Sequence, residues 1–170
     1  MGAAWYRYFR EGRGIEPRRI TLLREAALVH DVGKIGVPDS VLLKDGPLTD
    51  DERARIQTHS ALGAQMVSDV LTAEQVAWVR GHHERWDGGG YPDGLAGEAI
   101  PLAARLMALA DVFDALISRR VYKGAMAPEQ ARAIMAEQRG AHFDPDLLDV
   151  FLAGFDDFCA IAQRYPEDAA

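Results

Sequence analysis

The amino-acid sequence predicts an all-α fold, built as a helical bundle in a single domain that spans residues 1–170. Apolar residues recur at helical spacing along most of the chain, and residue pairs typical of helix starts precede several of these segments. No segment shows the sustained alternation of apolar and polar residues that marks a strand. A chain of 170 residues with 48% hydrophobic residues is long enough for one ordinary core.

The N-terminal half is predicted to contain three helices. Residues 1–19 are atypical, because the aromatic stretch WYRYF precedes two glycines, and we interpret them as the stub of a longer helix. A first clear helix carries apolar residues from Ile20 to Val29, leads to His30 and gives way to a loop that runs to about Pro47. Capping boxes begin the next two helices, Thr49 with Glu52 and Thr72 with Gln75, and the second of these helices runs to His83.

Glycines and prolines divide the C-terminal half. A long segment from Gly88 to Pro101, here named the Gly-rich loop, contains three consecutive glycines. Pro101, Pro128 and Pro145 each suit the first turn of a helix. The helix after Pro101 reads LAARLMALADVFDALIS, and the last predicted helix has Phe151 and Phe155 on its apolar side.

Composition excludes several classes of protein. The formal net charge of -7 disfavours a nucleic-acid binder, which needs a basic face. No apolar run approaches the roughly 20 residues that span a bilayer, and the N-terminus lacks the pattern of a signal peptide. The single cysteine, Cys159, rules out an internal disulfide. We therefore expect a soluble, cytoplasmic protein with no nucleic-acid partner and no membrane segment.

Potential metal ligands fall at predicted helix ends or on inward faces. Four of the five histidines do so, namely His30, His59, His82 and His83, while His142 has no partner in this set and is interpreted as structural. Asp31 adjoins His30, and Asp111 lies within the otherwise apolar stretch LMALADVFDAL. A carboxylate that faces a helical core needs a cation or several hydrogen bonds, so a metal ion is a natural explanation.

The ligand types narrow the choice of metal. Imidazole and carboxylate without thiolate suit iron, manganese, zinc, cobalt or nickel better than calcium or a zinc finger. More than four candidate ligands imply more than one ion. Adjacent helical residues point about 100° apart, so His82 and His83 could hold one ion from two sides or reach two, and Asp31 could bridge two ions. Asp114, one turn after Asp111, is a candidate to orient a ligand.

Several motifs occur in order along the chain: HDVGKIGVPDSVLLKDGPLT, QTHSALG, HHERWDGGGYPDGLAGEAIPLAARLMALADVFDAL, SRRVYK and HFDPDLL. In their order and intervals they resemble the HD-GYP domains, a subset of the HD phosphohydrolases, from about Leu22 to Phe151. The resemblance implies an HD-type helical bundle with a Gly-rich GYP loop. It also implies a metal-dependent phosphodiesterase that hydrolyses the bacterial messenger cyclic di-GMP to pGpG or onward to GMP.

The resemblance assigns the metal ligands residue by residue. They fall on His30, Asp31, His59, His82, His83 and Asp111. Members of the family hold two or three divalent ions, commonly iron or manganese, which activate water and neutralise the phosphate. Asp31 and Lys34 are then the predicted catalytic residues, with Lys34 contributing a point charge at the scissile phosphate.

The resemblance also assigns substrate contacts. Arg120 and Lys123, in SRRVYK, correspond to the family's ligand-binding cations, although Val121 stands where the family usually has proline. Tyr91 either contacts the substrate or anchors the Gly-rich loop on the helices. Glu84 and Asp87 are expected to fix that loop, or to orient the metal ligands, rather than bind metal. Trp86 is expected to pack, although it is close enough to the site to touch a guanine.

One departure from the family concerns the N-terminus. Active members carry a further metal-binding histidine, and three-metal members a glutamate, on a helix before the HD pair. No histidine precedes His30, so we expect this first metal-binding helix to be truncated or rebuilt and activity to be impaired. Nothing in the spacing of Glu11, Glu16 or Glu25 recommends one of them as a substitute.

Three functions remain open at this point. The first is a competent cyclic di-GMP phosphodiesterase. The second is a non-catalytic module that binds a cyclic dinucleotide, or a diguanylate cyclase domain through the Gly-rich loop. The third is an HD phosphohydrolase that acts on another nucleotide or on a phosphomonoester. The sequence does not separate cyclic di-GMP from cyclic GMP-AMP, and the family's frequent neighbours include an upstream sensor or receiver domain.

Overall fold

The computed structural model describes residues 16–117 and 126–164, and within these ranges the protein is a bundle of helices. The helices are α1 Pro17–Val29, α2 Asp39–Leu42, α3 Asp50–Met66, α4 Ala73–Gly81, α5 Leu102–Ile117, α6 Pro128–Glu137, α7 Pro145–Ala153 and α8 Phe155–Arg164. Short 3-10 turns cover Val32–Gly36 and Gly97–Ala99. The described residues form no strand, only an isolated bridge between Arg139 and Phe143, which confirms the predicted fold class.

Both predicted capping boxes are present. The Thr49 hydroxyl accepts from Glu52 N, and Glu52 Oε2 accepts in return from Thr49 N at 2.8 Å. Thr72 and Gln75 repeat this exchange at the start of α4. Gln75 is buried, and its Nε2 also donates to Leu22 O and Glu25 Oε2, each at 2.9 Å. The second box therefore also joins α4 to α1, and it occupies the Glu25 carboxylate.

The core is strongly aromatic at the C-terminal end. Phe113 of α5 packs edge-on against Phe151 of α7, with ring centroids 5.3 Å apart, and Phe155 and Phe158 complete the cluster. Leu106, Met107 and Leu109 of α5 are buried in the same core. Because α5 is central to this packing, the polar residues that it carries have well-determined positions.

The 3-10 turn after α1 lies directly against α3. Gly33 makes this contact possible, since a Cβ at this position would overlap the carbonyl oxygen of His59 and the backbone nitrogen of Gly63. This close approach brings the residues that follow α1 next to the middle of α3.

Four boundaries differ from the sequence prediction. Helix α1 begins at Pro17, within the segment 1–19 that was predicted to be atypical, and residues 1–15 of that segment lie outside the described residues. The loop predicted to reach Pro47 contains the short helix α2. Helix α4 ends at Gly81, so that His82 and His83 lie in the turn after it and not within the helix. The predicted last helix is two helices, because Gly154 closes α7 and its carbonyl accepts from Asp157 N at the start of α8. Glycine has a low helix propensity, and this one separates the two.

The described residues contain no helix that is both long enough and apolar enough to cross a bilayer.

Candidate metal centre

Four of the predicted ligands converge on one point. Asp31, His59, His82 and His83 each offer one ligand atom, and these atoms all lie within 4.8 Å of one another. Asp31 precedes the 3-10 turn, His59 lies in the middle of α3, and His82 and His83 directly follow α4. His59 and His82 are buried, with 1% and 0% of their surface exposed. Three separate parts of the chain therefore meet at this cluster.

Hydrogen bonds orient three of the imidazole rings. Nδ1 of His30, His59 and His82 bonds to the carbonyl oxygen three residues earlier, at 2.8, 2.7 and 2.6 Å respectively. A carbonyl oxygen only accepts, so Nδ1 must carry the proton in each ring. In the neutral imidazole the lone pair then sits on Nε2, which is the arrangement found in histidines that bind metals.

The Nε2 atoms face one another and a carboxylate oxygen. His59 Nε2 lies 3.3 Å from His82 Nε2 and 3.3 Å from Asp31 Oδ1. Asp31 Oδ1 is buried and accepts no hydrogen bond from the described residues. Mutually facing acceptors repel, so this arrangement is favourable only with a cation, either a metal ion or a proton, among them. A set of imidazole nitrogen and carboxylate oxygen fits a divalent transition metal.

The protonation states favour metal binding. Burial, with a contribution from neighbouring histidines, lowers the pKa of His82 to about 3, and burial and His59 do the same for His83. Burial would raise the pKa of Asp31, but contacts with His59 and Lys34 outweigh it and hold this pKa well below its usual range. At neutral pH the two imidazoles are therefore neutral and the carboxylate is charged, as ligands must be.

His30 and Asp111 lie on the other side of Asp31. His30 Nε2 is 3.6 Å from Asp31 Oδ2 and 4.0 Å from Asp111 Oδ1. The His30 ring also meets the His82 ring edge-on, with centroids 5.0 Å apart. The structure thus brings all six predicted ligands together, with Asp31 between a group of three histidines and a pair formed by His30 and Asp111.

Lys34 lies beside this cluster. Its Nζ donates to Asp31 Oδ2 at 2.5 Å, and its side chain is 40% exposed. The lysine therefore contacts the carboxylate that joins the two halves of the cluster, while its amine remains accessible to an anionic ligand.

Acidic side chains hold the Gly-rich loop in place. Glu84 is buried, and its two carboxylate oxygens accept from the backbone nitrogens of Asp93, at 2.7 Å, and Leu95, at 3.0 Å. Asp87 accepts from Gly89 N at 2.9 Å and pairs with Arg85. These contacts confirm the prediction that both acidic residues fix the loop.

Tyr91 covers one side of the cluster. Its ring stacks on His83, with centroids 4.8 Å apart and an interplanar angle of 29°. Burial, followed by the charges of Asp111 and Asp31, raises the pKa of the Tyr91 phenol. The phenol therefore stays protonated and can donate a hydrogen bond. Its position is compatible with both roles considered for it, contact with substrate and anchoring of the loop.

Four further residues bear on the site prediction. Arg120 and Lys123 lie outside the described residues. His142 has its ring stacked on Phe143, and its carbonyl accepts from Trp86 N at 3.1 Å. Sequence reasoning missed Arg105, which donates to the buried Asp144 at 2.7 Å and lies over the Trp86 ring. A lone arginine in the apolar stretch LAARLMALA was the signal available for it.

Comparisons with known proteins identify the family of the chain. The family model of the HD domain matches residues 3–147, so the chain belongs to the HD domain family. Together with the relatives described next, its ordered motifs place it in the HD-GYP subset of that family, as the resemblance implied.

Two curated relatives come from Vibrio cholerae. A cyclic di-GMP phosphodiesterase is 50% identical over 166 residues, which cover 92% of this chain and 33% of the relative. A 3'3'-cGAMP-specific phosphodiesterase 2 is 38% identical over 159 residues, 91% of this chain and 30% of the relative. The chain thus spans about a third of the length of these relatives.

A solved structure supports the fold. An HDG"Y"P protein from Bdellovibrio bacteriovorus matches 94% of this chain and 50% of its own, with a TM-score of 0.71 and 24% sequence identity.

Proposed function

We propose that this chain is a metal-dependent phosphodiesterase domain that hydrolyses cyclic di-GMP to pGpG, GMP or both. The observation that carries the proposal is the convergence of imidazole lone pairs and a buried, unsatisfied carboxylate oxygen beneath the Gly-rich loop. The relative that acts on cyclic di-GMP, at 50% identity, supports this choice of substrate.

The six clustered residues would hold two divalent ions, and iron or manganese is the proposed metal. His59, His82, His83 and Asp31 would form one site, and His30, Asp111 and Asp31 the other. When bound, such ions activate water for attack on phosphorus and neutralise the phosphate. A third ion would need a carboxylate ligand in addition to these six residues.

The remaining site residues would bind and orient the substrate. Lys34 would place its ammonium group at the scissile phosphate. Tyr91, kept protonated by its surroundings, would donate to a phosphate oxygen or pack against a guanine. Arg120 and Lys123 would contact a phosphate or a guanine edge, since arginine can do so with two parallel hydrogen bonds. Alanine at both positions should weaken binding of cyclic di-GMP more than binding of metal, and equal nucleotide affinity would reject this role.

A turnover assay tests the proposal. Purified protein is loaded anaerobically with Fe²⁺, or with Mn²⁺, and incubated with cyclic di-GMP, and the products are separated by chromatography. We expect pGpG or GMP from the wild type and none from His82→Ala, with His142→Ala as the matched control. Binding without turnover by the fully loaded wild type would instead favour the non-catalytic module. Turnover of other nucleotides alone would favour a different HD phosphohydrolase.

Cyclic GMP-AMP is the second candidate substrate. A relative named as 3'3'-cGAMP-specific shares 38% identity over 159 residues, so the common site is compatible with both dinucleotides. Competition between equal amounts of the two substrates in one reaction gives the ratio of their kcat/KM values directly. We expect cyclic di-GMP to be consumed first.

Two partner domains are proposed. Because this chain matches about a third of each relative, we propose that a sensor or receiver domain controls it from upstream. From the family resemblance we also propose that a diguanylate cyclase domain contacts the Gly-rich loop. A cytoplasmic location fits hydrolysis of an intracellular messenger. Titration of the domain with a purified diguanylate cyclase domain, with Gly89→Ala as a loop variant, tests the second contact.

A further inference from the structure

Arg105 lies where three parts of the protein meet. It belongs to α5, and its side chain is only 14% exposed. Its Nη1 donates to Asp144 Oδ2 at 2.7 Å, and its guanidinium carbon lies 5.6 Å from the centroid of the Trp86 ring. Asp144 is itself buried and caps α7, since its other oxygen accepts from Asp146 N at 2.9 Å. The guanidinium is therefore held on one side by a fixed carboxylate and covers an indole on the other.

Trp86 is the point where the chain enters the Gly-rich loop. Its backbone nitrogen donates to His142 O at 3.1 Å, and the next nitrogen, that of Asp87, donates to Ala141 O at 2.9 Å. The Trp86 carbonyl accepts from Gly97 N, also at 2.9 Å, near the far end of the loop. The two ends of the loop are thus joined at Trp86, directly beside Arg105.

We propose that Arg105 is a positioning residue, which acts through Trp86 to hold the Gly-rich loop and so keeps Tyr91 over His83. Tyr91 follows Trp86 by five residues, and its ring stacks on a proposed metal ligand. If the indole loses the guanidinium that covers it, the entry to the loop is free to shift, and Tyr91 shifts with it. The inference rests on the proposed function only in so far as Tyr91 contacts the substrate.

Lysine separates this role from simple stabilisation. The Nε atom of Arg105 is buried and has no hydrogen-bond partner in the part of the chain that the structure describes, so replacing arginine by lysine removes no bond at that atom. Lysine can keep the ion pair with Asp144, but it lacks the planar guanidinium that covers the Trp86 ring. A stabilising role predicts near-normal behaviour for Arg105→Lys, whereas a positioning role predicts a loosened loop in a folded protein.

The experiment compares Arg105→Lys with Arg132→Lys in the intact chain. Arg132 provides a matched control, because its guanidinium lies over Phe155 at the same distance of 5.6 Å, away from the loop. Measurements are metal content, hydrogen exchange at the amides of Trp86, Asp87 and Gly97, and KM and kcat with cyclic di-GMP. We expect Arg105→Lys to retain metal, to exchange these amides about 3- to 10-fold faster and to raise KM by a similar factor, with a smaller change in kcat. The control should leave all of these unchanged.

Each outcome decides the matter. Wild-type exchange rates in Arg105→Lys would overturn the proposal, as would faster exchange with an unchanged KM. If Arg105→Lys fails to fold, the double variant Arg105→Met, Asp144→Asn removes both charges together and carries the same expectation. If the wild type hydrolyses no cyclic dinucleotide, the proposed function fails, but loop exchange still tests Arg105, and the KM is replaced by the dissociation constant of the metal-loaded protein for cyclic di-GMP.

Discussion

Glutamine in place of Glu84 should loosen the Gly-rich loop without removing metal. The carboxylate is 2% exposed and accepts two backbone hydrogen bonds from within the loop. Glutamine has nearly the same shape, but it offers one acceptor oxygen and turns an NH₂ group towards the other backbone N–H. One charge-assisted bond is then lost and a buried donor is left unsatisfied. Removal of the buried negative charge offsets part of this cost, and the net loss of stability is about 2 kcal/mol.

A change of about 2 kcal/mol corresponds to about a 30-fold change in an opening equilibrium. Hydrogen exchange at the amides of Asp93 and Leu95 should therefore accelerate by about 30-fold in Glu84→Gln, and the melting temperature should fall by about 5 °C. Glu98→Gln is the control, because it makes the same chemical change at an exposed position of the same loop. Wild-type exchange at both amides in Glu84→Gln would show that the carboxylate does not hold the loop.

Four further changes test the site. His59→Ala should lower metal affinity by more than about 100-fold, which metal analysis after dialysis would show; full retention would exclude His59 as a ligand. Asp111→Asn should empty one of two metal positions and leave the other, because the histidine-rich half keeps all its donors; loss of both ions would contradict this division. Lys34→Met should retain metal and lower kcat about 100-fold, and metal loss would count against its role at the phosphate. Gly33→Ala should reduce the free energy of unfolding by about 3 kcal/mol in urea titrations, through overlap with the backbone of α3, and an unchanged midpoint would refute the close packing.

The sequence predicted the helices best where local signals were complete. The two capping boxes, Thr49 with Glu52 and Thr72 with Gln75, were predictable because their hydrogen bonds join residues three positions apart. A sequence shows such a pair directly. The contact by which Asp87 fixes the loop is also local, because Asp87 accepts from Gly89 N, whereas Glu84 accepts from Asp93 N, which lies farther along the loop. By contrast, nothing local indicated that Gly154 would separate two helices, because a single glycine in a helical pattern is often tolerated.

The least predictable features were contacts between distant segments. Asp31 lies beside His59 of α3 because the turn after α1 packs on that helix through Gly33. Arg105 pairs with a residue 39 positions away, and its place over Trp86 follows from tertiary packing alone. The spacing of residues along the chain does not show which distant side chains pair. It shows only that a charge expected to be buried needs a partner somewhere.

Several candidate ligands lie at helix ends, where the unpaired backbone carbonyl groups contribute both to the fold and to the site. The last carbonyl groups of a helix have no partner within it. His30 and His82 directly follow α1 and α4, and their Nδ1 atoms bond to Ala27 O and Val79 O in the last turns of these helices. Each bond satisfies a carbonyl and at the same time directs Nε2 towards the cluster. Within a helix, neighbouring residues would point about 100° apart. His30 and His82 still have helical backbone angles, but the helix ends with them, and the next residue, Asp31 or His83, reaches the same centre. The rings of His82 and His83 lie with centroids 4.0 Å apart. Adjacent ligand pairs are therefore useful here because they occur at helix ends. One hydrogen bond to a free carbonyl orients the first imidazole ring, and the turn after the helix places the second ligand beside it.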